Sequence, residues 1–232
     1  MLKQIEANPD TTAVSGATAR LIYVALRNER APLSNVKVRQ AMNYAVDKET
    51  IVDTILEGIV EVVHAPLPRT LGCARTDLEY AYDPDLAKQL LDEAGYAGEE
   101  IVFALPRGRY PNDAQVAEAL VGYWQDVGLN IKFEQGDFAS IQPLTRQGKD
   151  SPFDAAFQGW SADALDPVLM ALFLFHSSNT EPRTSYANPE VDALLDEANS
   201  QTDMDRVCKL LEEVQGIVWE DAPFVFLYTP IE

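Results

Sequence analysis

Apolar positions along the chain switch repeatedly between a two-residue and a helical period. Leu21-Ile22-Tyr23-Val24-Ala25-Leu26 is an unbroken β-prone run and predicts a buried strand. After the turn 28–33, Val38, Ala41, Met42 and Ala45 fall at i, i+3, i+4, i+7, which predicts a helix from about Val36. Asp47 reads as the N-cap of a second helix, Lys48 to Glu57, with Ile51, Val52, Ile55 and Leu56 inward and Gly58 ending it. Residues 59–82 carry little periodicity and read as an extended connection. Asp83 and Pro84 open a helix whose face is Ala87, Leu90, Leu91 and Ala94, and Gly95 closes it.

Ile101–Leu105 predicts a short strand, 113–127 a helix with Ala117, Leu120, Val121 and Trp124 inward, and Leu129, Ile131 and Phe133 a second strand. Such a β-α-β unit implies parallel strands and a right-handed crossover. A weaker helix over 138–146 precedes a strand marked by the alternation of Phe153, Ala155 and Phe157, which stops at Gly159-Trp160. Further helices follow: an apolar one over 167–175, one opening at Asn188-Pro189, and a long one capped by Asp203. Phe224–Tyr228 is a closing strand. The class is α/β, with a mostly parallel central sheet flanked by helices.

At 232 residues and 47% hydrophobic content the chain can bury a sizeable core. Its net charge of −19 argues against nucleic acid and anionic membranes as partners, because both call for a basic surface. No apolar run reaches the length of a membrane span, and MLKQIEANPDTT has no apolar segment of the signal-peptide kind. This short polar lead, 1–18, reads as the start of a piece. Cys73 and Cys208 allow one bridge, but nothing in their spacing says that they meet.

The chain has no nucleophile elbow, no glycine-rich phosphate motif and no spaced His or Cys pair, so neither a cofactor nor a metal is expected. Two stretches carry candidate chemistry. Arg107-Gly108-Arg109-Tyr110 lies between a strand and the next helix, where an anionic group is readily held; it also reads as a solvated basic loop. Trp160 and Asp163 follow a strand's carboxyl end and offer an aromatic wall and a carboxylate for an ammonium. Their competing reading is a core ring and a helix cap. From other classes, a small acidic hydrolase using paired Asp residues and a protein-interaction domain with an exposed apolar patch also fit the composition.

Several stretches in register resemble the extracytoplasmic solute-binding proteins of ABC importers that include dipeptide, oligopeptide and nickel-binding members. They are NERAPLSNVKVRQAMNYAVDKETIVDTILEG (28–58), YDPDLAKQLLDEAGY (82–96), WQDVGLNIKFE (124–134), FDAAFQGWSADALDP (153–167), SYANPEVDALLDEA (185–198) and VQGIVWEDAPFVFLYTP (214–230). The resemblance implies a periplasmic-binding-protein type II-like fold, with 19–232 as the C-terminal lobe and the N-terminal lobe missing. It also implies capture of a small solute, a short peptide foremost and a sugar or metal chelate otherwise, by lobe closure outside the cytoplasmic membrane. Delivery to a membrane permease follows, and no enzyme activity is expected. It places Asp163 on the ligand's ammonium and Arg107 on its carboxylate, beside the candidates Trp160, Arg109 and Tyr110 read from their strand-end positions. Phe157 stands where an oligopeptide-binding member has an arginine. The VRQA stretch and Asp47 are expected to fix helices rather than touch ligand.

Overall fold

A computed structural model describes residues 15–162, 165–179 and 183–231. Strands β1 (Arg20–Leu26), β2 (Val60–Val62), β3 (Glu100–Arg107), β4 (Asn130–Asp137), β5 (Ala155–Ser161) and β6 (Phe224–Pro230) form one sheet in the order β2-β6-β1-β5-β3-β4. β3 pairs in parallel with β4 and β5, whereas β1 runs antiparallel to β5 and β6, and β2 antiparallel to β6. Thus β3, β4, β5 and β6 share one direction, as a mostly parallel sheet requires, and β1 and β2 run against them. Strand β2 lies within the stretch that sequence periodicity leaves extended; three residues are too few to show an alternation.

The helices are α1 (Val36–Tyr44), α2 (Lys48–Thr54), α3 (Pro84–Ala94), α4 (Asp113–Asp126), α5 (Phe138–Thr145), α6 (Pro167–Phe175), α7 (Pro189–Ser200) and α8 (Met204–Asp221). Side-chain oxygens of Asp47, Asp83, Asn188 and Asp203 each accept a backbone N–H of the first turn, as their sequence contexts predict. Asp166 caps α6, accepting from Val168 and Leu169. Gly95 takes the left-handed conformation that closes α3.

Alternation along the strands divides the core into two layers. Ile22, Val24 and Leu26 of β1 face α1–α4 together with Phe103, Phe157 and Trp124. Leu21, Tyr23 and Ala25 face the opposite way, against α6, α7 and α8 with Phe224 and Phe226. α5 covers Ala104 and Ala156 through Ile141 and Leu144.

Three of the stretches that carry the family resemblance meet at the end of α8. The buried Arg39 guanidinium donates to the Asp221 carbonyl through Nε (2.9 Å) and to the Leu33 carbonyl through Nη1 (2.7 Å). The Asp221 carboxylate accepts from Tyr186 Oη (2.6 Å) and Asn188 Nδ2 (2.9 Å). These motif residues therefore lock α1, α7 and α8 together. Cys73 and Cys208 form a disulfide between the loop after β2 and α8, and Gln215 Nε2 holds the same loop by donating to the Cys73 carbonyl (2.8 Å).

Candidate functional site

The strand directions bring six chain segments to one edge of the sheet: the starts of β1 and β2 and the ends of β3, β4, β5 and β6. The turn after β3 is built at this edge. Gly108 takes φ +80°, a left-handed conformation that reverses the chain. The buried Asp113 carboxylate then accepts from the backbone N–H groups of Arg109 (2.9 Å) and Tyr110 (3.2 Å), fixing the loop against the start of α4. Tyr110 lies across Gly159 and donates from its hydroxyl to the Gly159 carbonyl (3.3 Å). A β-carbon at Gly159 would stand 2.6 Å from Ile22 Cδ1 and 2.7 Å from the Tyr110 hydroxyl. That close approach is the physical reason for glycine before Trp160. Burial raises the pKa of Tyr110 above its ordinary value, so the hydroxyl stays protonated.

Trp160 points to the other face of the sheet and stacks on Phe173 of α6, with ring centres 4.1 Å apart and planes within 11°. It packs against the core as a partly buried ring. The Arg183 guanidinium lies over the far ring at 4.9 Å and donates to Tyr23 Oη at 2.7 Å. Phe157, by contrast, is fully buried and contributes no polar group to this edge.

These side chains line a cleft of about 190 Å³ that also takes in Arg20, Phe138, Gln142, Arg146 and Ser161. Four arginines, Arg20, Arg109, Arg146 and Arg183, are among its lining residues, and no carboxylate lines it among the described residues. A smaller, more apolar groove of about 110 Å³ adjoins it across Arg20 and Tyr110, floored by Leu56, Ile59, Val60 and Ile231. Of the residues singled out in the sequence, Arg109, Tyr110 and Trp160 come together in the cleft. Arg107 is exposed at the end of β3, on the same edge but outside the lining. Asp163 lies outside the described residues. Arg20, Arg146 and Arg183 were not singled out in the sequence. Each comes from a different segment, and only the sheet order unites them.

Among the described residues one other cluster contains metal-ligating types. Glu49, His64 and Glu79 place their ligand atoms within 4.8 Å of one another. The fully buried Lys48 ammonium sits close enough to lower the pKa of His64, after burial itself, and forms no hydrogen bond to either carboxylate.

Residues 1–182 match the family model for bacterial extracellular solute-binding proteins, family 5 Middle. The chain belongs to this family. It is 34% identical to "Heme-binding protein A" of Haemophilus influenzae over 97% of the chain and 42% of that protein. It is 29% identical to the "Dipeptide-binding protein" of Escherichia coli over 88% of the chain and 39% of that protein. Among solved structures it superposes on HbpA2 from Haemophilus parasuis with a TM-score of 0.92 at 27% identity, covering all of this chain and 46% of that one. It also superposes on a dipeptide-binding protein from Pseudoalteromonas sp. SM9913 in complex with Met-Leu, with a TM-score of 0.87 at 26% identity. The family 5 chain thus spans less than half the length of these relatives. They are binding proteins rather than enzymes, which removes the support for a hydrolase.

Proposed function

We propose that this chain is the C-terminal lobe of a two-lobed solute-binding protein that serves an ABC importer outside the cytoplasmic membrane. The observation that carries this reading is the strand-end cleft holding Arg20, Arg109, Tyr110 and Trp160, in a chain that matches less than half of each solute-binding relative. Open α/β sheets bind ligands at strand carboxyl ends, and here four strands end on the cleft side. The second lobe closes over this edge, contacts on both lobes favour the closed state, and the permease reads that state. The Cys73–Cys208 disulfide accords with an oxidising compartment.

The leading solute is a short peptide, in keeping with the dipeptide-binding relatives. Asp163 is assigned to its ammonium, Arg109 and the neighbouring Arg107 to its carboxylate, and Tyr110 and Trp160 to its flanks. The flat Trp160–Phe173 stack and the heme-binding relative favour a second reading, a planar aromatic solute. A thermal-shift screen of the two-lobed protein against peptides, hemin, sugars and metal chelates tests the proposal, because a ligand of the folded state raises its Tm. The isolated chain is expected to bind the same solute far more weakly. Losing about 4 kcal/mol of contacts turns a micromolar site into a roughly millimolar one. Equal affinity in the two forms would show a self-sufficient binding domain and refute the half-site assignment.

A further inference from the structure

We propose that Glu49, His64 and Glu79 bind a divalent metal ion of the zinc class, at a site separate from the strand-end cleft and independent of the capture reading. The three come from different segments: Glu49 from the first turn of α2, His64 from just beyond β2, and Glu79 from the irregular stretch that leads to α3. Their ligand atoms lie within 4.8 Å of one another. Tetrahedral coordination at zinc bond lengths needs them about 3.3 Å apart. Both glutamate side chains are exposed and free to swing inward by that difference. One imidazole with two carboxylates suits a borderline ion such as zinc, whereas magnesium and calcium prefer oxygen alone.

The groups around the cluster are short of partners. His64 Nε2 meets Glu49 Oε1, itself a proposed ligand, at 3.1 Å, and Nδ1 is buried with no hydrogen-bond partner. Buried polar atoms are nearly always paired, so this imidazole is not spent on holding the fold. Lys48, 2% exposed beside the cluster, acts on both glutamates through charge alone and takes no carboxylate oxygen for itself. A cavity of about 210 Å³ lined by His64, Glu79 and Thr229 has room for water to complete the coordination. Thr229 is 2% exposed and its Oγ1 also has no partner, so it is placed to hold such a water. The arginines of this cavity are already engaged, Arg69 with Glu61 at 3.8 Å and Arg75 with Asp77 at 2.5 Å. None of its lining residues belongs to the cleft of Arg109 and Trp160. The stretch that carries Glu79 is tied to α8 by the Cys73–Cys208 disulfide and Gln215; an ion at Glu79 ties it to α2 and β2 as well.

The full-length protein, stripped with a chelator, is titrated with zinc chloride by calorimetry and thermal shift, with magnesium and calcium chloride as comparators. One equivalent of zinc is expected to bind and raise the Tm, and neither comparator is expected to do so at the same concentration. His64→Gln and Glu79→Gln, each alone, are expected to weaken that binding about tenfold or more. Glu79 is exposed, so its replacement leaves the fold intact, which circular dichroism checks. Glu212→Gln, at an exposed carboxylate outside the cluster, is expected to change nothing. Lys48→Met removes a like charge beside the ion and is expected to tighten binding several-fold. No bound equivalent, or an equal response to magnesium or calcium, overturns the proposal. So does a zinc affinity that His64→Gln or Glu79→Gln leaves unchanged, or that Lys48→Met fails to raise; zinc is then an adventitious ion on an acidic surface. None of these outcomes bears on solute capture, which is read from the strand-end cleft.

Discussion

Replacing Lys48 by methionine should make the protein more stable. Lys48 opens α2, is 2% exposed, and its Nζ has no hydrogen-bond partner. A cation at a helix N-terminus also meets the unfavourable end of the helix dipole. Burial pulls its pKa from the ordinary 10.5 down to about 8, against the opposing pull of Glu49 and Glu79. That fall corresponds to about 3 kcal/mol of lost stability wherever the folded protein keeps the group charged. Methionine preserves the apolar stem and removes the charge, so urea unfolding at pH 7 should show a gain of about 1–3 kcal/mol, the lower values reflecting the two carboxylates left without a cation.

The pH dependence gives an independent check. Between pH 8 and 10.5 the unfolded chain holds the lysine proton and the folded chain does not, so stability rises with pH across that window. Below pH 8 both states are protonated and the full penalty applies. Burial raises the pKa of Tyr80, Tyr186 and Tyr228, so the folded protein retains these protons after the unfolded chain loses them. This opposing trend begins near pH 10, so the rise is best read from pH 8 to ~9.5. Wild type should gain stability there and the Lys48→Met protein should not. A methionine variant destabilised by more than about 1 kcal/mol would refute the reasoning, because it would mean the ammonium is firmly paired in the folded state.

Two further outcomes follow from the packing. Cys73 and Cys208 are 135 residues apart, so Cys73→Ser with Cys208→Ser should lower unfolding stability by up to about 5 kcal/mol, measured in urea against the oxidised wild type; Gln215 still holds the loop and softens the loss. Gly159→Ala forces a β-carbon against Tyr110 and Ile22; it should cost about 1–3 kcal/mol and shift the neighbouring Trp160 fluorescence, whereas unchanged stability and emission would mean that Tyr110 does not rest on Gly159.

The helices and most strands were legible because each carries its own local signal. The caps at Asp47, Asp83, Asn188 and Asp203 and the face Val38–Ala41–Met42 need no knowledge of the rest of the chain. The candidate site was legible only where a loop follows a strand: Arg109 and Tyr110 after β3, and Trp160 at the end of β5. Arg20 reaches the cleft because β1 runs antiparallel between β5 and β6, and Arg146 and Arg183 because α5 and the segment before α7 sit over the same edge. Apolar periodicity fixes which way a residue faces, not which strand lies beside it. The disulfide was hidden for the same reason. So was the role of Arg39, whose motif is visible but whose partner, the Asp221 carbonyl, is 182 residues away.

β1 and β6 lie side by side and run in opposite senses, and beyond them Ala17 pairs with Ile231 in a last antiparallel bridge. The described residues therefore begin and end side by side, at the edge where the cleft lies. A body hung on two adjacent strands behaves as a cassette: it can be spliced into a host loop whose ends are only a strand spacing apart, about 5 Å, without disturbing either fold. The Arg39–Asp221 lock and both core layers lie wholly within that body.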